Sequence, residues 1–357
     1  MNQECNVKWC GKLSKSFRVK NGVRQGAVSS GILFAVYIDD ILTLLRKSGL
    51  GCHINGVFYG VVVYADDILL LSASRSGLQE MVNICHRAAT ERNLSFGTHE
   101  DPQKSKTKCI VFTKKRIASN ELKCISLNGN KLPWVQNVKH LGHNLQANNS
   151  MKIDIALKRG MFIGKTNSLL QEFGNVPKDV FLKLMSASAM TVYGSNLWNL
   201  FGKDCERLYT SYNVAIRNIL RIERCTHRFF LEPLSEAAHL KTLLLSKFIS
   251  FHKSLVTSSK FSVRFLARLL ETDLRSVHCQ NLCEIARLCD VDWPHNIDRL
   301  TPKLIKEKHC YKAMPEGQQW KLNICKELLS LRDNDDVQLP GFTPEEREEL
   351  LSYLCIS

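Results

Sequence analysis

The stretch Val61-Val62-Val63-Tyr64-Ala65-Asp66-Asp67-Ile68-Leu69-Leu70-Leu71-Ser72 decides how the first part of this chain is read. Four apolar or aromatic residues lead in and an apolar run leads out, with two adjacent carboxylates in the middle. Only Ala65, Asp66 and Asp67 separate the runs, so residues 57–64 and 68–72 are expected as two short strands of a tight hairpin. Burying an unpaired ionised carboxylate is costly, and three accounts of the pair stand open. Carboxylates are common in solvated turns. An internal ion pair with Lys or Arg would neutralise them. A divalent cation would use them as ligands, because Mg²⁺ takes carboxylate oxygens together with waters and substrate phosphates. Ions held in this way activate the attacking oxygen and stabilise the leaving one in phosphoryl transfer.

The reading extends outward by periodicity. Residues 17–23 alternate like a strand entering a turn. Residues 31–47 carry a helical stripe of Leu33, Phe34, Ile38, Ile41, Leu42 and Leu45. Within it, Tyr37-Ile38-Asp39-Asp40 nearly copies the hairpin motif. Neighbours on a helix point about 100° apart, which makes a poor metal clamp, so Asp39 and Asp40 read as surface or helix-packing residues. A helix over 76–93 follows, with Leu78, Met81, Val82, Cys85, Ala88 and Ala89 in period. Residues 108–112 read as a strand, and 122–132 as a hairpin turning at Asn128-Gly129.

Beyond Asn148-Asn149-Ser150 the character changes to amphipathic helices, over 151–171, 178–200, 205–222 and 235–257. The expected division is a mixed α/β part over 1–148, a helical part over 149–230 and a helical C-terminal part over 231–357. A polar stretch at 332–336 precedes a last helix, announced by Thr343-Pro344-Glu345-Glu346.

With 357 residues the chain has room for roughly two domains at ~150 residues each. The excess of 49 Lys+Arg over 34 Asp+Glu, a net +15, argues for a polyanionic partner, nucleic acid first. There are 14 Cys and no C-x-x-C pair. The opening residues lack an apolar signal core, and nothing approaches the ~18 consecutive apolar residues of a membrane span. The expectation is an intracellular protein with reduced thiols and no membrane partner. Cys279, Cys283, Cys289 and His295 lie within reach of a zinc knuckle. However, Cys279, Leu282, Cys283 and Ala286 share one helical face, so core packing is the preferred reading.

Tyr64-Ala65-Asp66-Asp67 between two hydrophobic strands resembles the signature of reverse transcriptases. N-G-V-R-Q-G-A-V-S-S-G-I-L-F, residues 21–34, resembles the segment just upstream of it in that family. The form N-G-V-R-Q-G, with Y-I-D-D-I just after, is most like non-LTR, LINE-like retrotransposon enzymes. S-K-T-K-C-I-V-F at 105–112 resembles their Lys-Thr segment, and V-K-H-L-G-H at 138–143 their Leu-Gly turn. A-M-T-V-Y-G-S-N-L-W-N-L at 189–200 resembles a helix of their thumb. The features span about residues 9–225, in family order.

The resemblance implies the α/β palm of a right-hand polymerase, an antiparallel sheet with packed helices, followed by a mostly α-helical thumb and C-terminal region. It implies RNA-templated DNA synthesis by two-metal phosphoryl transfer with Mg²⁺. The implied partners are an RNA template, a DNA primer and deoxynucleotide triphosphates, and the implied place of action is nuclear. Carried over residue by residue, Asp66 and Asp67 are catalytic and bind metal. Lys106 is a third catalytic candidate that protonates or holds the leaving pyrophosphate; its plainer reading is a solvated lysine. Gln25, Gly26 and Ser29 contact nucleotide and template, and Tyr64, Leu141 and Gly142 contact the primer. Lys152, Lys158, Arg159 and Lys165 follow duplex phosphates, in a salt-sensitive way.

The family also needs a third metal-binding Asp on an earlier palm strand. The only acid in residues 1–20 is Glu4, in a polar setting. The expectation is therefore a partial chain, lacking the fingers and the first palm motif, with weak or no polymerase activity. The alternatives are a non-catalytic nucleic-acid-binding protein derived from a retroelement, or a non-functional remnant.

Overall fold

This computed structural model describes residues 3–19, 22, 26–99, 101, 104–113, 122–190, 192–310, 322, 323 and 326. Gln25, the polar stretch at 332–336 and the helix expected from Thr343 lie outside the described residues. The chain divides into two compact units, Met1–Gln136 and Asn137–Ser357.

The first unit alternates short hairpins with two helices. Its elements are β1 (Gln3–Cys5), β2 (Lys8–Trp9), β3 (Lys12–Leu13), β4 (Phe17–Val19), α1 (Ser30–Lys47), β5 (His53–Ile54), β6 (Val57–Phe58), β7 (Val61–Tyr64), β8 (Asp67–Leu70), α2 (Arg75–Thr90), β9 (Ile125–Leu127) and β10 (Asn130–Leu132). The mixed α/β character agrees with the sequence reading, but the expected antiparallel sheet is subdivided. Among the described residues every ladder has two strands, β1 with β4, β2 with β3, β5 with β6, β7 with β8 and β9 with β10. Strands of two to four residues carry few ladder bonds, and among the described residues nothing pairs with the second edge of β7 or of β8.

The core of this unit lies between the helices. Ile38, Ile41 and Leu45 of α1 meet Met81, Cys85, Ala88 and Ala89 of α2, and Val61, Val63 and Leu70 pack against them. The stripe on α2 is buried as the period predicts, with Leu78 half-buried. On α1 the outer part of the stripe differs, since Leu33 is exposed. Helix α2 begins one residue ahead of the expected start because Ser74 caps it, its Oγ accepting from Gly77 N at 3.1 Å. The strand expected at 108–112 is reduced to one parallel bridge between Cys109 and Trp134. Cys109 N donates to Pro133 O and Val135 N to Cys109 O, and no further rung forms. The hairpin at Asn128-Gly129 forms as expected, both residues having positive φ.

The second unit opens with β11 (Asn137–His140) and β12 (His143–Gln146) and continues as α3 (Lys152–Phe173), α4 (Lys178–Leu184), α5 (Lys203–Leu220), α6 (Arg228–Ser235), α7 (Leu240–Val256), α8 (Phe261–Thr272), α9 (Val277–Leu288) and α10 (Pro302–Cys310). Its core gathers Phe162, Phe181, Met185, Trp198, Leu208, Phe248 and Ile285, among others. The division falls at Gln136, ahead of the composition change, because β12 is fastened to α3 by side chains described below.

The helix expected over 178–200 is corrected. It ends in a π turn at Met185–Ala189, closed by Met190 N on Met185 O at 3.1 Å. A left-handed Gly194 and one 3₁₀ turn at Ser195–Leu197 follow. Distant side chains take over the backbone bonding there. Tyr209 Oη donates to Leu200 O, Asn281 Nδ2 to Trp198 O, and Leu200 N to Asn281 Oδ1. The helix expected over 235–257 forms as α7 with a later start at Leu240, and the left-handed Glu236 before it ends α6, a helix the sequence reading did not place.

Cys279, Leu282 and Ala286 are buried on the inner face of α9. Cys279 Sγ donates to Glu271 O at 2.9 Å, and burial pushes its thiol up to about 11. Among the described residues no helix is long and apolar enough to cross a membrane.

Candidate catalytic hairpin and primer-side turn

The alternation of β7 sets the site. Val61 and Val63 turn inward, while Val62 and Tyr64 face out. The register pairs Val61 with Leu70, Val62 with Leu69, Val63 with Ile68 and Tyr64 with Asp67. Asp67 is thus the first residue of β8 rather than part of the loop, and only Ala65 and Asp66 make the turn. Directly opposed residues share a face, so Asp67 stands beside Tyr64, which is 67% exposed.

Asp66 and Asp67 are both exposed, at the end of half-buried strands. The pair is therefore solvated rather than buried between the strands. The internal ion pair also drops out, since among the described residues neither carboxylate meets a Lys or Arg. What stays is a solvated turn or a cation site.

The backbone at the tip is unusual. Ala65 has φ +52°, a region that residues with a Cβ enter at a cost of roughly 1–2 kcal/mol. Two-residue hairpin turns ordinarily use Asn or Gly there. Backbone kept in such a state despite its cost is a feature of functional sites. Here the two carboxylates that follow it, Asp66 and Asp67, both face water.

Gly26 is exposed with φ +81°. Ser29 occupies the N-cap of α1, but its hydroxyl makes no capping bond. Lys106 is exposed, its stem lying along Gly97. Its loop is pinned by Thr107, whose N and Oγ1 both donate to Gly97 O at 3.0 Å. Asp39 and Asp40 are exposed on α1, and Asp40 pairs with Arg92. Among the described residues no group of three or more His, Cys, Asp or Glu is arranged to hold a metal. The donor set at the turn is therefore two carboxylates. They are hard oxygen ligands of the kind Mg²⁺ takes, and they fit such an ion as part of its shell.

Leu141 and Gly142 belong to the second unit, at the turn of the β11–β12 hairpin closed by His140 and His143. Both have positive φ, +46° and +79°. This turn is locked from beneath. Lys158 Nζ donates to Tyr193 O at 3.0 Å and to Gly142 O at 3.4 Å. His143 stacks on Tyr193 with ring centroids 4.9 Å apart, and its burial lowers its pKa from the ordinary value.

Asp154 is fully buried below the hairpin. Its carboxylate accepts from Asn144 N at 3.0 Å, Asn144 Nδ2 at 3.2 Å and Trp198 Nε1 at 2.9 Å. Sequence reasoning missed it, because an Asp in the first helical turn ordinarily serves the helix dipole. The signal was Trp198, whose indole needs an acceptor when buried.

Lys158 corrects an expectation, since it is buried and spends its protons on carbonyls rather than facing phosphates. Arg159 donates to Ser211 Oγ and Lys165 to Ser188 O. Lys152 is exposed.

Residues 3–145 match the family described as "Reverse transcriptase (RNA-dependent DNA polymerase)". The chain is also similar to a retrovirus-related Pol polyprotein from the type-1 retrotransposable element R1 of Bradysia coprophila, 24% identical over 220 residues. That alignment covers 55% of this chain and 20% of the relative, so the chain spans about a fifth of the length of the curated relative it matches.

Proposed function

Since residues 3–145 belong to the reverse-transcriptase family, in its non-LTR retrotransposon branch, we propose that the β7–β8 turn is the metal-binding part of a polymerase active site. The observation that carries this reading is the hairpin tip itself, where Asp66 and Asp67 are both exposed and, among the described residues, meet no Lys or Arg. When bound, Mg²⁺ would supply charge neutralisation at a triphosphate and activation of a primer hydroxyl. Asp66 and Asp67 are its ligands from this chain, Tyr64 packs beside the primer end, and Lys106 balances charge on the leaving group. Gln25, Gly26 and Ser29 serve nucleotide and template, and the Leu141–Gly142 turn serves the primer strand. The second unit acts as a thumb-like duplex guide.

Two carboxylates are fewer than a two-metal centre uses, so the expected polymerase activity of this chain alone is weak or absent. Its cation site is expected to be weak, in the millimolar range. Mn²⁺ binding, followed by electron paramagnetic resonance, is expected in the parent chain and lost in Asp66→Asn. Equal Mn²⁺ binding by the two proteins removes the metal reading. Robust RNA-templated primer extension that Asp66→Asn abolishes would instead show a complete centre.

A second reading, nucleic-acid binding without catalysis, is favoured by the net +15 charge. It expects salt-steep RNA or duplex binding that is indifferent to Asp66→Asn.

A further inference from the structure

Helices α7, α8 and α9 meet through a run of titratable side chains. His252, on α7, is 5% exposed. Its Nδ1 shares a hydrogen bond of 3.0 Å with Nε2 of His278, on α9. Its Nε2 lies 3.3 Å from Oε1 of Glu271, on α8. The two nitrogens of one buried ring thus join three helices. The His278 ring also rests on Phe248 of α7, with centroids 4.9 Å apart. Cys279, the next residue, donates from Sγ to Glu271 O.

Counting protons shows what this run tolerates. A ring nitrogen carries either a hydrogen or a lone pair, and a histidine cation donates from both nitrogens. With both rings neutral, one hydrogen lies between His278 and His252 and another faces Glu271. One added proton makes His252 a cation. It then donates both to Glu271 and to His278, whose own hydrogen sits on Nδ1. A second added proton sets N–H against N–H across the 3.0 Å gap and places two cations in contact. Around the run stand Arg268 of α8 and Lys253 of α7, which disfavour further protons. Asp298 of the 3₁₀ turn Ile297–Arg299 favours them, and the Cys279 thiol, with Cys283 beside it, stays neutral.

We propose that Glu271, His252 and His278 form an acid-opened clasp, closed with one added proton or none, whose second proton frees α8 and α9 from α7. Burial lowers His252, and burial followed by His252 lowers His278 to about 4. The open state takes its protons first, near the ordinary histidine value of about 6.5. The clasp is therefore closed above that pH and is lost as pH falls toward 4. It uses none of the residues assigned to the β7–β8 turn.

Three thiols of the full chain report on it. Cys279 and Cys205 are buried, and Cys225 is exposed. N-ethylmaleimide labelling from pH 7 to pH 5, located by peptide mass spectrometry, is expressed relative to Cys225 to remove the slowing of thiol chemistry in acid. Relative labelling of Cys279 is expected to rise at least about tenfold over this range, with Cys205, in the core beside α3, lagging well behind it. His278→Gln keeps a donor for His252 but takes no proton, so its Cys279 labelling is expected to be nearly independent of pH. Glu271→Gln removes the charge that balances the first proton and is expected to move the opening to higher pH. The inference is overturned if Cys279 stays protected at pH 5, or if Cys205 keeps pace with it, which is general unfolding. It is also overturned if His278→Gln responds to acid as the parent does, or if Glu271→Gln leaves the midpoint unchanged.

Discussion

The β7–β8 and β11–β12 hairpins share a plan. Each pairs two four-residue strands, and each turns through two residues whose first member has a positive φ without being glycine, Ala65 at +52° and Leu141 at +46°. Their surroundings are opposite. At the first, two carboxylates stand in water with no basic partner among the described residues. Below the second, one carboxylate is buried and accepts from three donors. An acid that is to bind something must be left unsatisfied, whereas an acid that is to hold a fold must be saturated. The same residue type serves both ends, and burial decides which.

The sharpest way to break this contrast is Asp154→Ala. Three donors lose their acceptor, each at about 1–3 kcal/mol, so a loss of about 3 kcal/mol or more is expected in chemical denaturation. A loss below about 1 kcal/mol would mean that Asp154 is no keystone.

Acid probes the buried groups of the second unit next. Burial lowers His239 and His278 to about 4, with neighbouring His309 and His252 acting in the same direction. A histidine with a depressed folded pKa is fully tolerated above its unfolded value near 6.5. Below it the unfolded chain takes up the proton first. Stability should therefore fall from about pH 6.5 to about pH 4, by at most about 1.4 kcal/mol per pH unit for each histidine. Urea midpoints that coincide at pH 7 and pH 5 would contradict this burial.

The two turns predict changes of opposite sign. Ala65→Gly relieves the left-handed strain and should raise stability by about 1 kcal/mol. Gly142→Ala adds strain and places a Cβ 3.2 Å from the Tyr193 ring, and should lower stability by about 1–2 kcal/mol. Melting temperatures that move the same way in both would refute the shared plan. The smallest effect belongs to Asp66→Asn and Asp67→Asn, within about 0.5 kcal/mol of the parent. A larger loss in thermal unfolding would make these carboxylates structural.

Much of the first unit was legible because its signals are local. Alternation around Asp66 fixed the hairpin, a helical period fixed α1 and α2, and Asn128-Gly129 fixed a turn. The register that places Asp67 on the strand was not, because Ala65 is not a residue that a turn rule selects. The second unit hid more. Apolar period carries through Phe181, Leu182, Met185 and Ala189, so one long helix was the natural reading of 178–200. Past the break, Tyr209 and Asn281, from α5 and α9, bond the backbone of Trp198 and Leu200. Contacts that distant leave no local trace. The family motif at 189–200 is present as sequence, yet its backbone is mostly irregular. Lys158 carried a similar trap, since charge alone did not reveal that Gly142 and Tyr193 engage it.

The open edges of the β7–β8 ladder bear on how this protein behaves in concentrated solution. Seven of its eight strand residues are apolar or aromatic, and no lysine or proline interrupts them. Such an edge invites a foreign strand to continue the ladder. The turn that displays the carboxylates is thus also where copies of the chain are expected to adhere first. A charge set outward on that ladder, as in Val62→Lys, should delay light scattering at high concentration, and scattering that rises as early as in the parent would place the sticky surface elsewhere.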